Sequence, residues 1–150
     1  VACTAVGWTP DPMGLVAGLL AFMIVAILGT ALALLFSGAN VFFRDFGSFV
    51  ATLGTFITFS VPMIYPYSLV PERFGRFAEF YLWNPLAEVV LLSQRCFWVG
   101  STSDPALTER TNMPANLYEL GLMHLAGALV ILIVAQVVFS KMENRFAERL

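Results

Sequence analysis

Residues 12–43 read PMGLVAGLLAFMIVAILGTALALLFSGANVFF, a stretch of the chain without a single charged side chain. Two further stretches, residues 46–71 and 120–140, also lack Asp, Glu, Lys and Arg. A helix of about 20 apolar residues can cross a bilayer because it satisfies its backbone hydrogen bonds internally. The pattern predicts three membrane spans, at about residues 13–43, 48–65 and 118–140, and therefore an all-α membrane protein.

The overall composition fits this prediction and excludes several other classes of protein. Apolar residues make up 59% of the chain and charged residues only 12%, unlike a soluble domain. A net charge of −2 without any Lys/Arg run argues against nucleic-acid binding. The only lysine, Lys141, follows no glycine-rich loop, so the sequence carries no phosphate-binding loop for ATP. Two distant cysteines cannot form a zinc site, and whether Cys3 and Cys96 pair stays open.

Between the second and third spans, residues 66–119 mix charges and prolines with apolar patches. Residues 77–83 and 86–99 are too short or too charged to cross a bilayer, and Asn84-Pro85 separates them. We predict two short helices that form a re-entrant or interfacial hairpin at about residues 74–99, followed by a polar loop at residues 101–116. Aromatic side chains that fit the headgroup level of a membrane are Phe74, Phe77, Phe80, Tyr81, Trp83, Phe97 and Trp98.

Basic residues near the span ends indicate the orientation in the membrane. Lys141, Arg145 and Arg149 crowd into the last residues of the chain, and Arg44 adjoins the first span. Four further arginines lie on the opposite side of the membrane, but farther from a span end. We expect a cytoplasmic carboxy-terminal tail at residues 141–150, with the hairpin on the outer side.

Polar residues in two of the predicted helices allow two interpretations each. Thr52, Thr55 and Thr58 fall near one face of the second span, where they either line a pore or bond back to carbonyls of their own helix. Glu88 and Arg95 lie two turns apart in the second hairpin helix. They either line an exit or pair with a facing helix, and structural pairing is favoured.

Small residues and one histidine mark positions where spans contact a neighbour. Gly29, Ala31 and Ala33 in the first span indicate close packing against another helix, or only the high glycine content of membrane helices. Apart from Glu119 in the first turn of the last predicted span, His124 is the only Asp, Glu, Lys, Arg or His inside a predicted span, near the outer end of the last one. A neutral imidazole there can bond to a neighbour or to water.

Several short motifs follow one another at the ends of these elements. The first span ends in Asn40-Val41-x-x-Arg44-Asp45, and the second ends in Pro62-x-x-Tyr65-Pro66. Val70-Pro71 and Asn84-Pro85-Leu86 come next, and Met142-Glu143-x-x-Phe146-Ala147 closes the chain. In this order the motifs resemble those of type-2 exporter permeases of ATP-binding-cassette (ABC) transporters. The resemblance is strongest to the branch that exports O-antigen, teichoic acid or cell-wall galactan.

The resemblance covers essentially the whole chain, as the carboxy-terminal half of such a permease. It implies a six-span subunit in which residues 1–150 supply the fourth to sixth spans and the outer re-entrant hairpin. It further implies a homodimer in the bacterial inner membrane that exports a lipid-linked polysaccharide, such as that of lipopolysaccharide or the cell wall. ATP and Mg²⁺ would bind a separate ATPase subunit, so we expect no cofactor, metal site or catalytic residue in this chain.

The resemblance also implies roles for residues at three places. The cytoplasmic turn that couples to the ATPase comprises Asn40, Arg44 and Asp45, which otherwise indicate only a positive-inside anchor and a helix break. The substrate channel, where aromatic faces stack on sugars that must still slide, comprises Thr52, Phe56, Phe59 and Tyr65. The phenylalanines otherwise face lipid or another helix. The outer hairpin comprises Asn84, Pro85, Glu88 and Arg95.

Two alternatives of different class stay open. One is a type-2 permease that exports drugs or lipids instead of a polymer. The other is a non-transporting membrane scaffold or a glycan-assembly protein. Co-purification of an ATPase distinguishes a transporter from the second alternative, because a scaffold need not bring one.

Overall fold

The computed structural model describes residues 11–42, 45–63 and 65–147, with side chains at residues 11–40, 45–63 and 65–142. Within these ranges the chain consists of helices and turns, without a β-strand. The helices are α1 (Pro12–Phe42), α2 (Phe46–Phe59), α3 (Leu69–Phe74), α4 (Ala78–Tyr81), α5 (Pro85–Phe97), α6 (Pro105–Asn112) and α7 (Leu117–Ala147). Two short 3₁₀ turns, Gly75–Phe77 and Val99–Ser101, precede α4 and follow α5.

Helices α1 and α7 form the frame of the protein and run parallel to each other. At their starts, the Tyr118 hydroxyl of α7 donates to the Met13 carbonyl of α1 at 3.0 Å. Toward their ends, a Cβ built on Gly38 would lie 2.6 Å from Met142 Cε. The first turns of α1 and α7 are adjacent, and so are their last turns. The chain must therefore run back to the level of the first turn of α1 before α7 begins.

Small residues make the close packing of α1 possible. Its buried face carries Gly14, Ala17, Ala21 and Ala31, and the buried face of α7 carries Gly121, Ala128 and Ala135. Such residues let backbones approach where lipid is as apolar as protein. The predicted packing is confirmed at Ala31. Gly29, where a Cβ would meet nothing within 4 Å, and the exposed Ala33 pack against no described part of this chain, so the prediction for them stays untested.

Among the described residues, two segments are long and apolar enough to cross a membrane, Pro12–Asn40 of α1 and Leu117–Met142 of α7. Only 28% and 11% of their most apolar windows are buried, so neither is the core helix of a soluble domain. Lipid can surround the exposed apolar side chains of these helices without the unfavourable free energy of exposing them to water. The helices predicted at residues 13–43 and 118–140 are confirmed, and the chain has the character of a membrane protein.

The second predicted span, at residues 48–65, is shorter in the structure. Helix α2 ends at Phe59, where the Ser60 N–H donates to the carbonyls of Phe56 and Ile57. Pro62 cannot continue the helix because it lacks an N–H and its ring would meet the carbonyl four residues earlier. The 14 residues of α2 extend about 21 Å, less than the roughly 30 Å of a bilayer core. A third full span is therefore not confirmed.

Helix α2 nevertheless returns the chain toward the start of α1. Its first residue, Phe46, packs edge-to-face on Phe36 of α1, with ring centroids 5.3 Å apart. Just beyond its other end, the Pro62 carbonyl accepts a hydrogen bond from Gln94 of α5 at 2.8 Å. Because α5 packs against the first turns of α1 near Gly14, the end of α2 lies close to that end of the frame.

Residues 60–63 and 65–116 form what we call the head region, which covers the first turns of α1 and α7. The predicted break at Asn84-Pro85 is confirmed, since α4 ends at Tyr81 and α5 begins at Pro85. Helix α5 packs against α1 and α7 and barely contacts the four-residue α4. The expected hairpin at residues 74–99, in which two helices pack on each other, is therefore not confirmed. The core beneath α5 includes Leu20, Ile24, Leu91, Leu92 and Leu117.

Two further boundaries differ from the prediction. The loop predicted at residues 101–116 contains α6. The Asp104 carboxylate caps this helix by accepting the Leu107 N–H at 3.1 Å, and Pro105 occupies the first turn. The tail predicted at residues 141–150 is helical as far as residue 147, because α7 continues to Ala147.

Candidate functional site

Asn84 and Pro85 start α5 and fix its position. The Asn84 Oδ1 accepts the Leu86 N–H at 3.0 Å, and its Nδ2 donates to Ser60 Oγ at 3.2 Å. Pro85 lies in the first turn, where a missing N–H costs nothing. These two predicted hairpin residues tie the end of α2 to the start of α5.

Arg95 is buried near the end of α5 and joins three parts of the chain. Its Nη2 donates to Asp11 Oδ2 at 2.7 Å, and its Nε lies 2.9 Å from Glu109 Oε1 of α6 without hydrogen-bond alignment. The hydrogen bond from Arg95 lowers the pKa of Asp11. Burial opposes the charge on Arg95, but its carboxylate partners outweigh burial and raise its pKa. Structural pairing of Arg95 is thereby confirmed.

Glu88 lies two turns before Arg95 on α5 and is fully buried. Among the described residues, neither of its carboxylate oxygens has a hydrogen-bond partner. Burial raises the pKa of Glu88 to about 8, because a desolvated carboxylate is costly and the neutral acid is not. The expected pairing therefore holds for Arg95 but not for Glu88, which stays a neutral acid at neutral pH.

Three tyrosines cluster between the end of α2 and α4. The hydroxyls of Tyr65 and Tyr81 lie 3.1 Å apart, and the ring centroids of Tyr67 and Tyr81 are 6.5 Å apart. Burial raises the pKa of Tyr67, and the negative charge that Glu88 carries once it is ionised raises it further. Burial is also the main cause that raises the pKa of Tyr81. Tyr65, predicted for the channel, is thus half-buried in the head region and is not on a spanning helix.

The other predicted channel residues lie on α2, which buries none of its side chains. The hydroxyls of Thr52 and Thr58 donate to carbonyls four residues earlier, at 3.0 and 2.9 Å. The back-bonding interpretation is therefore confirmed, although each hydroxyl oxygen can still accept a hydrogen bond. Phe56 and Phe59 are 69% and 65% exposed. Helix α2 offers aromatic faces and hydroxyl acceptors to whatever covers it.

Two of the predicted coupling residues, Asn40 and Asp45, lie at the junction of α1 and α2, at the end of the frame away from the head region. Asn40 and Asp45 are both exposed there, and Arg44 lies outside the described residues. Helix α1 ends at Phe42 and α2 begins at Phe46, so the predicted helix break is present. The Asp45 carboxylate makes no cap hydrogen bond to α2, which leaves it available to solvent or a partner.

Sequence reasoning missed the partners of Arg95 and the role of Gln94. Asp11 lies 84 positions from Arg95, and Gln94 lies 32 positions from the Pro62 carbonyl that it holds. Periodicity within one element carries no information about such distant contacts. One signal was present, because an arginine within an apolar helix requires carboxylates from another part of the chain.

Two other residues noted from the sequence have identifiable neighbours. His124 Nε2 lies 3.3 Å from the Trp83 carbonyl, which fits the expected bond to a neighbour. Cys96 is buried, and a Cβ built on Gly18 would lie 2.7 Å from its Sγ. Cys3 lies outside the described residues, so a pairing of the two cysteines stays untested.

Two curated proteins are similar to most of this chain. An O-antigen export system permease protein RfbA of Klebsiella pneumoniae is 29% identical over 118 residues, which cover 78% of this chain and 39% of the relative. A second O-antigen export system permease protein RfbA of the same organism is 28% identical over 117 residues, 77% of this chain and 38% of the relative. The chain resembles O-antigen export permeases, distantly. It spans about two fifths of the length of these curated relatives.

Other comparisons add no further relative. No family model matches the chain, and no solved structure matches it. Together with two apolar helices of spanning length, the similarity favours the membrane subunit of a transporter over an enzyme.

Proposed function

We propose that this chain is part of the permease subunit of an ATP-driven exporter that moves a lipid-linked polysaccharide across the bacterial inner membrane. The main support is the similarity to an O-antigen export permease over 78% of the chain. The span-length helices α1 and α7 agree with this function. In this proposal ATP and Mg²⁺ bind a separate ATPase subunit, and this chain holds no cofactor.

The proposal extends to the architecture of the subunit. Residues 1–150 are the carboxy-terminal half of a six-span permease, two copies form the channel, and the carboxy terminus is cytoplasmic. The parallel packing of α1 and α7 supports this topology, because it requires a return crossing between them. Helix α2 with the following turn supplies that crossing. Because α2 is short, its unwound end has to be shielded by protein or face a water-filled cavity.

In this proposal α2 lines the polymer channel. It buries none of its side chains within this chain, and it presents Phe56 and Phe59 on its surface. Aromatic faces can hold sugar rings without the tight binding that would stop transport. Leucine at both positions should reduce export while leaving ATPase association intact. Phe22→Leu on the exposed face of α1 is the matched control, and equal export by all variants would contradict the assignment.

The junction of α1 and α2 is the proposed coupling element. Asn40, Arg44 and Asp45 would contact the ATPase, so that its closure moves α2. Arg44→Ala and Asp45→Ala should then lower export and weaken association with the ATPase. If both variants associate and export like the wild type, this coupling role is wrong.

The first test is a mild-detergent pull-down of the complete tagged subunit, with identification of co-eluting proteins and an ATPase assay. A stoichiometric nucleotide-binding partner, together with loss of surface glycan when the permease is deleted, would support the proposal. An ATPase partner without any glycan defect would favour a drug or lipid exporter. Absence of an ATPase, in a preparation that keeps its own oligomer, would favour a scaffold or a glycan-assembly protein.

A further inference from the structure

A cavity of about 310 Å³ opens in the head region, where the turn after α2 lies against α5 and the end of α6. It lies at the lower end of the size range of small-molecule sites. Its walls include Pro62, Tyr65, Tyr67, Gln94, Trp98 and Asn112. Of these residues, Pro62, Gln94, Trp98 and Asn112 belong to none of the three groups of residues predicted from the sequence.

No charged side chain lines this cavity among the described residues. An anionic ligand, such as a phosphate or a carboxylate, would therefore find no cation to pair with, and burying it would be costly. A cationic ligand would likewise lack a carboxylate. The lining therefore favours a neutral ligand over an anionic one.

Two amide side chains give the cavity hydrogen-bond acceptors. Gln94 uses its Nε2 to donate to the Pro62 carbonyl at 2.8 Å. Asn112 uses its Nδ2 to donate to Thr111 Oγ1 at 3.0 Å and more weakly to the Thr108 carbonyl at 3.4 Å. With the nitrogens engaged, each amide oxygen has no hydrogen bond within the described part of the chain and can accept from a ligand O–H.

Three aromatic rings complete the walls. Tyr65 is held by its hydroxyl contact to Tyr81 at 3.1 Å, so its ring is fixed. Tyr67 is half-buried, and Trp98 is 42% exposed. The face of an aromatic ring carries negative charge density and attracts the partly positive C–H groups of a ligand. A sugar ring has such a C–H face, with hydroxyl donors around its edge.

We propose that this cavity is a subsite for one neutral sugar unit. The aromatic rings contact the C–H face of the sugar, and the oxygens of Gln94 and Asn112 accept hydrogen bonds from its hydroxyls. The cavity is open, which allows a polymer unit to enter and leave. This subsite rests on the proposed function, because it would hold a unit of the exported chain beyond the end of α2.

A neighbouring cavity supports a path between α2 and this subsite. It measures about 470 Å³ and is lined by Phe59, Tyr65, Leu69, Val70, Arg73 and Phe74. Tyr65 therefore lines both cavities, and Phe59 at the end of α2 lines the second. A glycan that leaves the α2 face would reach the Tyr65 ring before it reaches Trp98.

The test uses the complete permease with its ATPase in detergent, and neutral oligosaccharides of mannose and of galactose as probes. Binding is measured by saturation-transfer NMR and by calorimetry. Trp98→Ala and Gln94→Leu should each lower affinity about tenfold, the scale of one lost aromatic or hydrogen-bond contact. Trp98→Tyr, which keeps a ring, should restore most of the affinity. Phe97→Ala, at the exposed neighbouring position on α5, is the matched control and should bind like the wild type.

Several outcomes would overturn the subsite. One is equal affinity of the wild type, Trp98→Ala and Gln94→Leu for the neutral probes, and another is no binding of these probes at all. A third is equally tight binding, at the same residues, of a sulfated oligosaccharide of the same length. Failure of the exporter proposal would be seen separately as the absence of a co-purifying ATPase or of a glycan defect on deletion. With the ATPase present and glycan export intact, a negative binding result removes only the subsite.

Discussion

Replacement of Glu88 by glutamine should abolish a loss of stability that the wild-type protein shows as the pH rises. The carboxyl group is fully buried and lacks a hydrogen-bond partner among the described residues. Burial raises its pKa from 4.5 to about 8. The folded protein therefore keeps a proton on Glu88 across a range of pH in which the unfolded chain releases it.

The sign of the effect follows from this difference in proton binding. Between about pH 4.5 and about pH 8 the folded state binds more protons than the unfolded state, so stability falls as the pH rises. A pKa difference of one corresponds to about 1.4 kcal/mol, so the full effect is on the order of 5 kcal/mol. Glutamine has nearly the same shape and is neutral at every pH. The variant should match the wild type at about pH 5 and exceed it at about pH 9.

The assay is the thermal midpoint of the purified subunit in detergent at several pH values, followed by tryptophan fluorescence. A loss of about 5 kcal/mol should lower the wild-type midpoint by roughly 10 °C or more between about pH 5 and about pH 9. The Glu88→Gln midpoint should stay nearly level. Glu79→Gln, at an exposed position on α4, is the matched control and should follow the wild type. Parallel loss of stability in the wild type and Glu88→Gln would refute the burial of a neutral acid.

Three further predictions concern contacts within the chain, each checked by the free energy of unfolding in detergent. Arg95→Met should cost about 1–3 kcal/mol, because both carboxylate partners lose their cation but stay partly exposed; an unchanged value would mean that these pairs contribute nothing. Gly121→Val should cost about 1–3 kcal/mol because its Cβ would overlap a leucine of α1, whereas Gly29→Ala should cost nothing; equal effects would contradict the helix contact. Asn84→Ala should cost about 1 kcal/mol through the lost cap of α5, and a stable variant would show that α5 needs no cap.

Much of the fold could be predicted from local sequence. The absence of charge across residues 12–43 and 120–140 placed both ends of α1 and the start of α7 within about one residue of their observed bounds, whereas α7 continues seven residues beyond its predicted end. Asn84-Pro85 placed the start of α5, because a capping side chain followed by proline favours a first helical turn. The same signal at Asp104-Pro105 marks the start of α6, within the segment predicted as a loop.

The errors have physical causes that local patterns do not carry. Residues 48–65 are apolar enough for a span, but Pro62 limits α2 to 14 residues. Hydropathy measures the free energy of transferring side chains out of water. It does not register that Pro62 lacks a backbone N–H. Among the site residues, only the coordinates could show that the hydroxyls of Thr52 and Thr58 bond back to their own helix.

The sequence by itself determined that this chain is helical and of membrane character, because charge and apolar length act within one segment. Its motifs also indicated the exporter permeases to which it proves similar. Only the tertiary structure decided that α1 and α7 are parallel and that Arg95 joins Asp11 and Glu109. It also decided that Glu88 has no hydrogen-bond partner among the described residues. These features depend on residues that are far apart in sequence but pack close together in the folded chain. The burial of a side chain, and therefore the free-energy cost of a charge on it, depends on this packing and not on any single segment.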